Sequence, residues 1–140
     1  NPKLMYLGMQ DQWYTFNMFD AQAWYARDVI LGRVQLPSYN EMQSHTKEWH
    51  ELETADPSVA YAYKFQGDYI QMLVDETDYP NFDIEGMRLT FLDWKNNKKD
   101  NIMTFRDKSH KSLMTGTQSP PHHTPWLKAL DDSLESYLDI

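Results

Sequence analysis

The chain has no cysteine. Disulfide staples and thiolate metal sites are therefore excluded, and its 140 residues must hold together by packing alone. Glycine is scarce and scattered: Gly8, Gly32, Gly67, Gly86 and Gly116 form neither a G-x-G-x-x-G fingerprint nor a P-loop. No apolar run approaches the length of a membrane span, and no signal-peptide pattern is present, so the expected compartment is the cytoplasm. Bases are outnumbered, with a net charge of −8, which argues against general nucleic-acid binding. Histidines suitable for a zinc site are also lacking. His45 and His50 are five apart and fall on different faces of a helix, and His122 and His123 are adjacent. Ser109-His110 has no nucleophile elbow. No residue of this chain is therefore expected to be a catalytic acid, base, nucleophile or metal ligand.

Aromatic residues are plentiful, with five Trp, nine Tyr and six Phe. The charge is also unevenly spread. Between Arg88 and Lys111 seven basic residues face three acidic ones, making that stretch +4 and the remainder −12. A basic strip on an acidic chain suits either a solvated helix face or an anionic ligand such as a cofactor phosphate.

The chain is organised around residues 4 to 38. Leu4, Met5, Tyr6 and Leu7 form a short apolar run closed by Gly8, as in a strand covered on both faces. Such a strand needs neighbours on both sides, which are expected on chain beyond this sequence. A loop rich in amides and aromatics follows, and from about Met18 the apolar spacing is helical up to Gly32, a C′ glycine. Strand, loop and helix in that order place orphan N–H groups where open α/β folds bind ligands. Gln22 falls inside the apolar arc of this helix and must hydrogen-bond either a neighbouring backbone or a ligand. Asp20 is expected in the first turn, where it favours the dipole.

Ser38 with Glu41 reads as a capping box, followed by Met42, His45, Trp49 and Leu52 along one helical face. Pro57 ends that pattern. Tyr61, Tyr63 and Phe65 alternate briefly; a short helix is predicted from Gly67 to Asp75 and another from Met87 to about Lys99. Ile102 to Thr117 reads as extended. Thr124 caps a last helix, with Pro125 at its first position and Leu127, Leu130, Leu134 and Leu138 along one face.

Several of these stretches resemble the flavin-containing monooxygenases. The carriers are Gly8, Gln10 or Gln12, then Asp20, Gln22, Ala23 and Trp24, then Gly32 with Leu36, Pro37 and Ser38. A second family motif is similar to QGDYI at Gln66 to Ile70. Three longer runs narrow the resemblance to the bacterial, trimethylamine-oxidising branch. They are MQDQWYTFNMFDAQAWYARDVI from Met9 to Ile30, NIMTFRD from Asn101 to Asp107, and HHTPWLKALDDSLESYL from His122 to Leu138.

The resemblance runs from end to end of the chain but covers only the C-terminal portion of such an enzyme. It implies an α/β parent fold with two dinucleotide-binding domains. This fragment would be mostly α-helical, with a buried N-terminal strand and extended segments. Residues 1–38 would supply the final strand, cofactor loop and helix of the FAD-binding domain. Residues 39–140 would form a helical and extended segment packing over the FAD and NADP sites.

The implied activity is N-oxygenation of trimethylamine or similar tertiary amines with FAD, NADPH and O2, through a flavin C4a-hydroperoxide. The fragment alone would be inactive. Its partners would be the N-terminal part of the same polypeptide, carrying two Gly-rich nucleotide motifs, and a second copy in a homodimer. By match to family positions, Gln12 and Thr15 would bind FAD and Arg106 would bind NADP(H), with Trp94 beside it. Trp13, Tyr14 and Phe16 would wall the flavin and amine pocket. The residues by themselves also admit a non-catalytic aromatic module holding a cationic or sugar-like ligand on exposed Trp and Tyr.

Overall fold

The computed structural model describes residues 4–9 and 11–118. Four α-helices carry it: α1 (Thr15–Ile30), α2 (Tyr39–Glu53), α3 (Val59–Asp75) and α4 (Ile84–Asp100). A single 3-10 turn follows at Phe105–Asp107. Internal contacts divide the chain into one unit of residues 1–89 and another of residues 90–140. None of the described helices is long and apolar enough to cross a membrane.

In the first unit α1 lies against α3. The buried residues are Met18, Ala21, Gln22 and Asp28 on α1 and Tyr63, Gln66, Gly67, Ile70, Leu73 and Val74 on α3. Tyr14, Tyr63, Met18 and Ile70 are fully enclosed. Burying an aliphatic side chain of this size stabilises by about 1.5–3 kcal/mol. Each helix thus buries one glutamine, and α1 also buries Asp28.

Helix starts follow local chemistry. The Ser38 hydroxyl accepts from Glu41 N–H at 3.4 Å and the Glu41 carboxylate accepts from Ser38 N–H at 2.8 Å, completing the expected capping box. Ser58 caps α3 through Tyr61 N–H at 3.2 Å. Gly32 closes α1 at φ +71°, its N–H donating to Val29 O at 3.1 Å.

Helix α2 buries no residue. Its hold on α3 comes from Trp49, whose ring meets Phe65 at 5.3 Å and Tyr69 at 5.6 Å, and from Tyr61 O–H donating to Leu52 O at 2.7 Å.

Four expectations need correction. Leu4 to Leu7 form no strand and are exposed, because no strand exists among the described residues for them to pair with. Helix α1 begins at Thr15, three residues earlier than the apolar pattern suggested, so Asp20 lies beyond the first turn and accepts Tyr79 O–H at 2.9 Å instead. Tyr61, Tyr63 and Phe65 belong to α3, which begins at Val59 rather than Gly67; the Ser58 cap and packing on α1 outweigh the short alternation. The segment Ile102 to Thr117 is only partly extended: it contains the 3-10 turn and an isolated bridge between Lys111 and Gln118. The helix expected after Thr124 lies outside the described residues.

Candidate cofactor loop and nucleotide patch

Gly8 opens the loop at φ +71°, a conformation that side chains oppose. A Cβ there would also clash with the Phe19 ring, so a side chain at this position would force that ring to move. Two buried glutamines then fix the loop. From α1, Gln22 Oε1 accepts Gly8 N–H at 2.9 Å while its Nε2 donates to Tyr69 O–H oxygen at 3.1 Å. The backbone tie read from the sequence is thus made. From α3, Gln66 Oε1 accepts Trp13 N–H at 2.7 Å and its Nε2 donates to Asp11 O at 3.0 Å. One buried amide therefore braces the backbone on both sides of residue 12.

The predicted flavin residues sit at the end of this braced loop. Gln12 is half-buried, and its Oε1 is enclosed without a hydrogen-bond partner among the described residues. A buried acceptor left unmade is costly, and an N–H donor from a ligand would satisfy it. Thr15 is half-buried at the first position of α1. The Tyr14 side chain gives α1 no cap, and no acid stands in its first turn, so orphan N–H groups there suit an electron-rich ligand. A flavin edge, which offers both an N–H donor and carbonyl acceptors, fits these residues.

The three aromatics separate. Tyr14 is 1% exposed; its O–H donates to Tyr63 O at 3.2 Å and burial raises its pKa, so it underpins the loop from within the core. Trp13 is 40% exposed and stands edge-on to Tyr63 at 5.3 Å. Phe16 is 85% exposed on α1. A cavity of about 590 Å³ opens beside the loop, walled by Trp13, Trp49, Phe65 and Tyr69 and edged by Asp11 and Glu53.

In the second unit the predicted nucleotide residues converge on Phe105. Trp94 meets its ring edge-on at 5.4 Å, and the Arg106 guanidinium lies 4.5 Å from its centroid. Lys98 Nζ stands 5.3 Å from the Trp94 ring. Nearby, Lys108 Nζ donates to Asp93 at 2.6 Å and holds that carboxyl below the usual carboxylate range. Phe105 is buried at 3% exposure, so the groups left at the surface are the half-buried Trp94 ring and the exposed Arg106 guanidinium, which suits phosphate oxygens. Phe105 was not singled out from the sequence. Its place within TFRD, between the predicted Arg106 and an apolar neighbourhood, was the available signal. Gln66 was read only as part of a family motif, because the helix was expected to start one residue after it. Extending that helix back to its Ser58 cap puts Tyr63, Gln66 and Ile70 on one face.

With this geometry in view, comparison with known proteins is informative. No family model matches the chain. A flavin-containing monooxygenase of Arabidopsis thaliana (GS-OX-like 2) is 32% identical over 87 residues, covering 59% of this chain and 19% of its own length. The trimethylamine monooxygenase of Roseovarius nubinhibens is 56% identical over 139 residues, covering 99% of this chain and 31% of its own length. The crystal structure of Tmm from Pelagibacter sp. strain HTCC7211 superposes with a TM-score of 0.83 at 44% identity, covering 94% of this chain and 30% of that one. The chain is thus similar to flavin-containing monooxygenases. Its similarity to the trimethylamine monooxygenases runs over nearly the whole length of this chain. The chain spans 31% of the length of the Roseovarius nubinhibens enzyme and 30% of the Pelagibacter chain.

Proposed function

We propose that this chain is the C-terminal part of an FAD- and NADPH-dependent monooxygenase that N-oxygenates trimethylamine or similar tertiary amines. The carrying observation is the 56% identity over 99% of the chain to a trimethylamine monooxygenase. The parent fold in this reading has two dinucleotide-binding domains. Residues 1–38 complete the FAD-binding domain, with Leu4 to Leu7 becoming a strand only against the upstream sheet. Residues 39–140 pack over the FAD and NADP sites. The upstream polypeptide brings both Gly-rich motifs, and the assembled enzyme is a cytoplasmic homodimer.

Bound flavin, reduced by NADPH, supplies the activation of O2 that side chains lack. This chain's residues bind, orient and exclude water. Gln12 Oε1 accepts from the polar edge of the flavin, and the Thr15 hydroxyl bonds beside it. Trp13 and Phe16 cover the flavin and amine site, with Tyr14 as their support, and keep water out of it. Arg106 grips phosphate oxygens of NADP(H), and Trp94 offers its face to the nucleotide. No residue here need act as acid or base.

The test is made on the full-length polypeptide. A flavin absorbance spectrum, trimethylamine-dependent NADPH oxidation and the N-oxide by mass spectrometry are the expected results. A colourless protein that oxidises no NADPH overturns the reading. In that case the aromatic cavity beside Trp49, with Asp11 and Glu53 at its edge, favours a non-catalytic module for a cationic ligand.

A further inference from the structure

We infer that Gln66, through its two hydrogen bonds around residue 12, is the positioning residue that holds Gln12 toward the flavin. This rests on the reading above, in which Gln12 meets that cofactor. The described residues between Gly8 and Tyr14 have no regular structure, so their peptide groups need partners from elsewhere. Gln66 provides an acceptor and a donor from one planar amide. Its acceptor takes Trp13 N–H at 2.7 Å and its donor reaches Asp11 O at 3.0 Å. The residue between those two peptide groups is Gln12, whose own amide oxygen is enclosed and unmatched.

The brace is rigid for three reasons. Gln66 is only 8% exposed, so water does not compete freely for its bonds. It stands on α3 one turn after Tyr63, and Tyr63 O accepts Tyr14 O–H while the Tyr63 ring meets Trp13. Residues 11, 13 and 14 are thus all tied to one helical turn. The far end of the loop is tied separately, by Gln22 to Gly8. A glutamine in an apolar helix stripe costs desolvation, and a leucine there would pack as well. What leucine cannot do is fix both neighbours of residue 12. A site that must present one acceptor within a fraction of an ångström needs such support behind it.

The test is a double-mutant cycle on FAD affinity, using apoprotein of the full-length chain titrated with FAD and read by quenching of flavin fluorescence. Gln12→Ala is expected to weaken FAD binding about tenfold, as loss of one buried hydrogen bond implies. Gln66→Leu alone is expected to weaken it by a similar factor. In the Gln12→Ala background Gln66→Leu should have little further effect, because the group it positions is gone. Circular dichroism of each variant checks the fold. Where Gln66→Leu does not fold, Gln66→Glu takes its place: it keeps an acceptor for Trp13 N–H and loses the donor to Asp11 O. Full FAD affinity in the Gln66 variant, or a loss that adds in full to that of Gln12→Ala, overturns the inference. A parent protein that binds no FAD overturns the monooxygenase reading instead.

Discussion

In the proposed enzyme Gln12 and Arg106 would make separable demands on the two cofactors, because each sits in a different unit of the chain. Gln12 Oε1 is an enclosed acceptor with no partner among the described residues. Gln12→Ala should therefore lower flavin content while leaving KM for NADPH unchanged in the fraction that holds FAD. Arg106 is exposed, with its guanidinium on the Phe105 ring. A charge-assisted bond to phosphate is worth about 1.5–3 kcal/mol, so Arg106→Ala should raise KM for NADPH roughly ten- to a hundredfold with flavin content intact. Steady-state kinetics with the flavin absorbance of the same samples checks both. An Arg106→Ala protein that sheds FAD, or keeps full NADPH affinity, contradicts the assignment. Both residues were legible in the sequence as candidates. The brace behind Gln12 was not, because Gln66 lies more than fifty residues away and only packing of α3 on α1 brings it to the loop.

Among the elements, α1 and α3 carry the loop, and their junction is tied at both ends. Tyr79, in the loop after α3, donates to Asp20 on α1 at 2.9 Å. Burial first, and then that hydrogen bond to Asp20, push its phenol from 10.0 up to about 12. The folded state therefore keeps the proton where the unfolded chain releases it. The contribution to stability is full below pH 10.0 and is lost as pH rises through about 12. Urea unfolding at several alkaline pH values should show this limb in the parent protein and a flatter one in Tyr79→Phe. The start of α3 is set by Ser58, whose hydroxyl accepts Tyr61 N–H. Removing that cap in Ser58→Ala should cost about 1 kcal/mol of stability by denaturant unfolding. The Ser38–Glu41 capping box and Gly32 were readable because caps are local chemistry. The true start of α3 was obscured by three aromatics spaced like a strand, and tertiary packing decided for helix.

At the scale of the molecule, the chain spans about a third of its relatives' length and exposes Leu4, Tyr6, Leu7 and Met9. In the proposed enzyme this edge and the flavin loop both face upstream polypeptide. The 140-residue chain by itself should then bind no FAD and oxidise no NADPH with trimethylamine present. Hydrogen exchange at residues 4–9 should be fast in the isolated chain and slow in the full-length protein. Fast exchange in both would remove the strand assigned to the parent fold.

The sequence by itself determined the helical character of most of the described chain, the Ser38–Glu41 box, the Gly32 stop, the need of Gln22 for a partner and the kinship with the monooxygenases. Each depends on residues close together in sequence or on long runs shared with relatives. Only the tertiary structure decided which amides brace the loop, that Tyr14 is core while Phe16 is exposed, and that Trp94 and Arg106 share Phe105. Those outcomes depend on which helix faces meet. Periodicity marks a face as apolar but does not say which single polar group on it will find a backbone to hold.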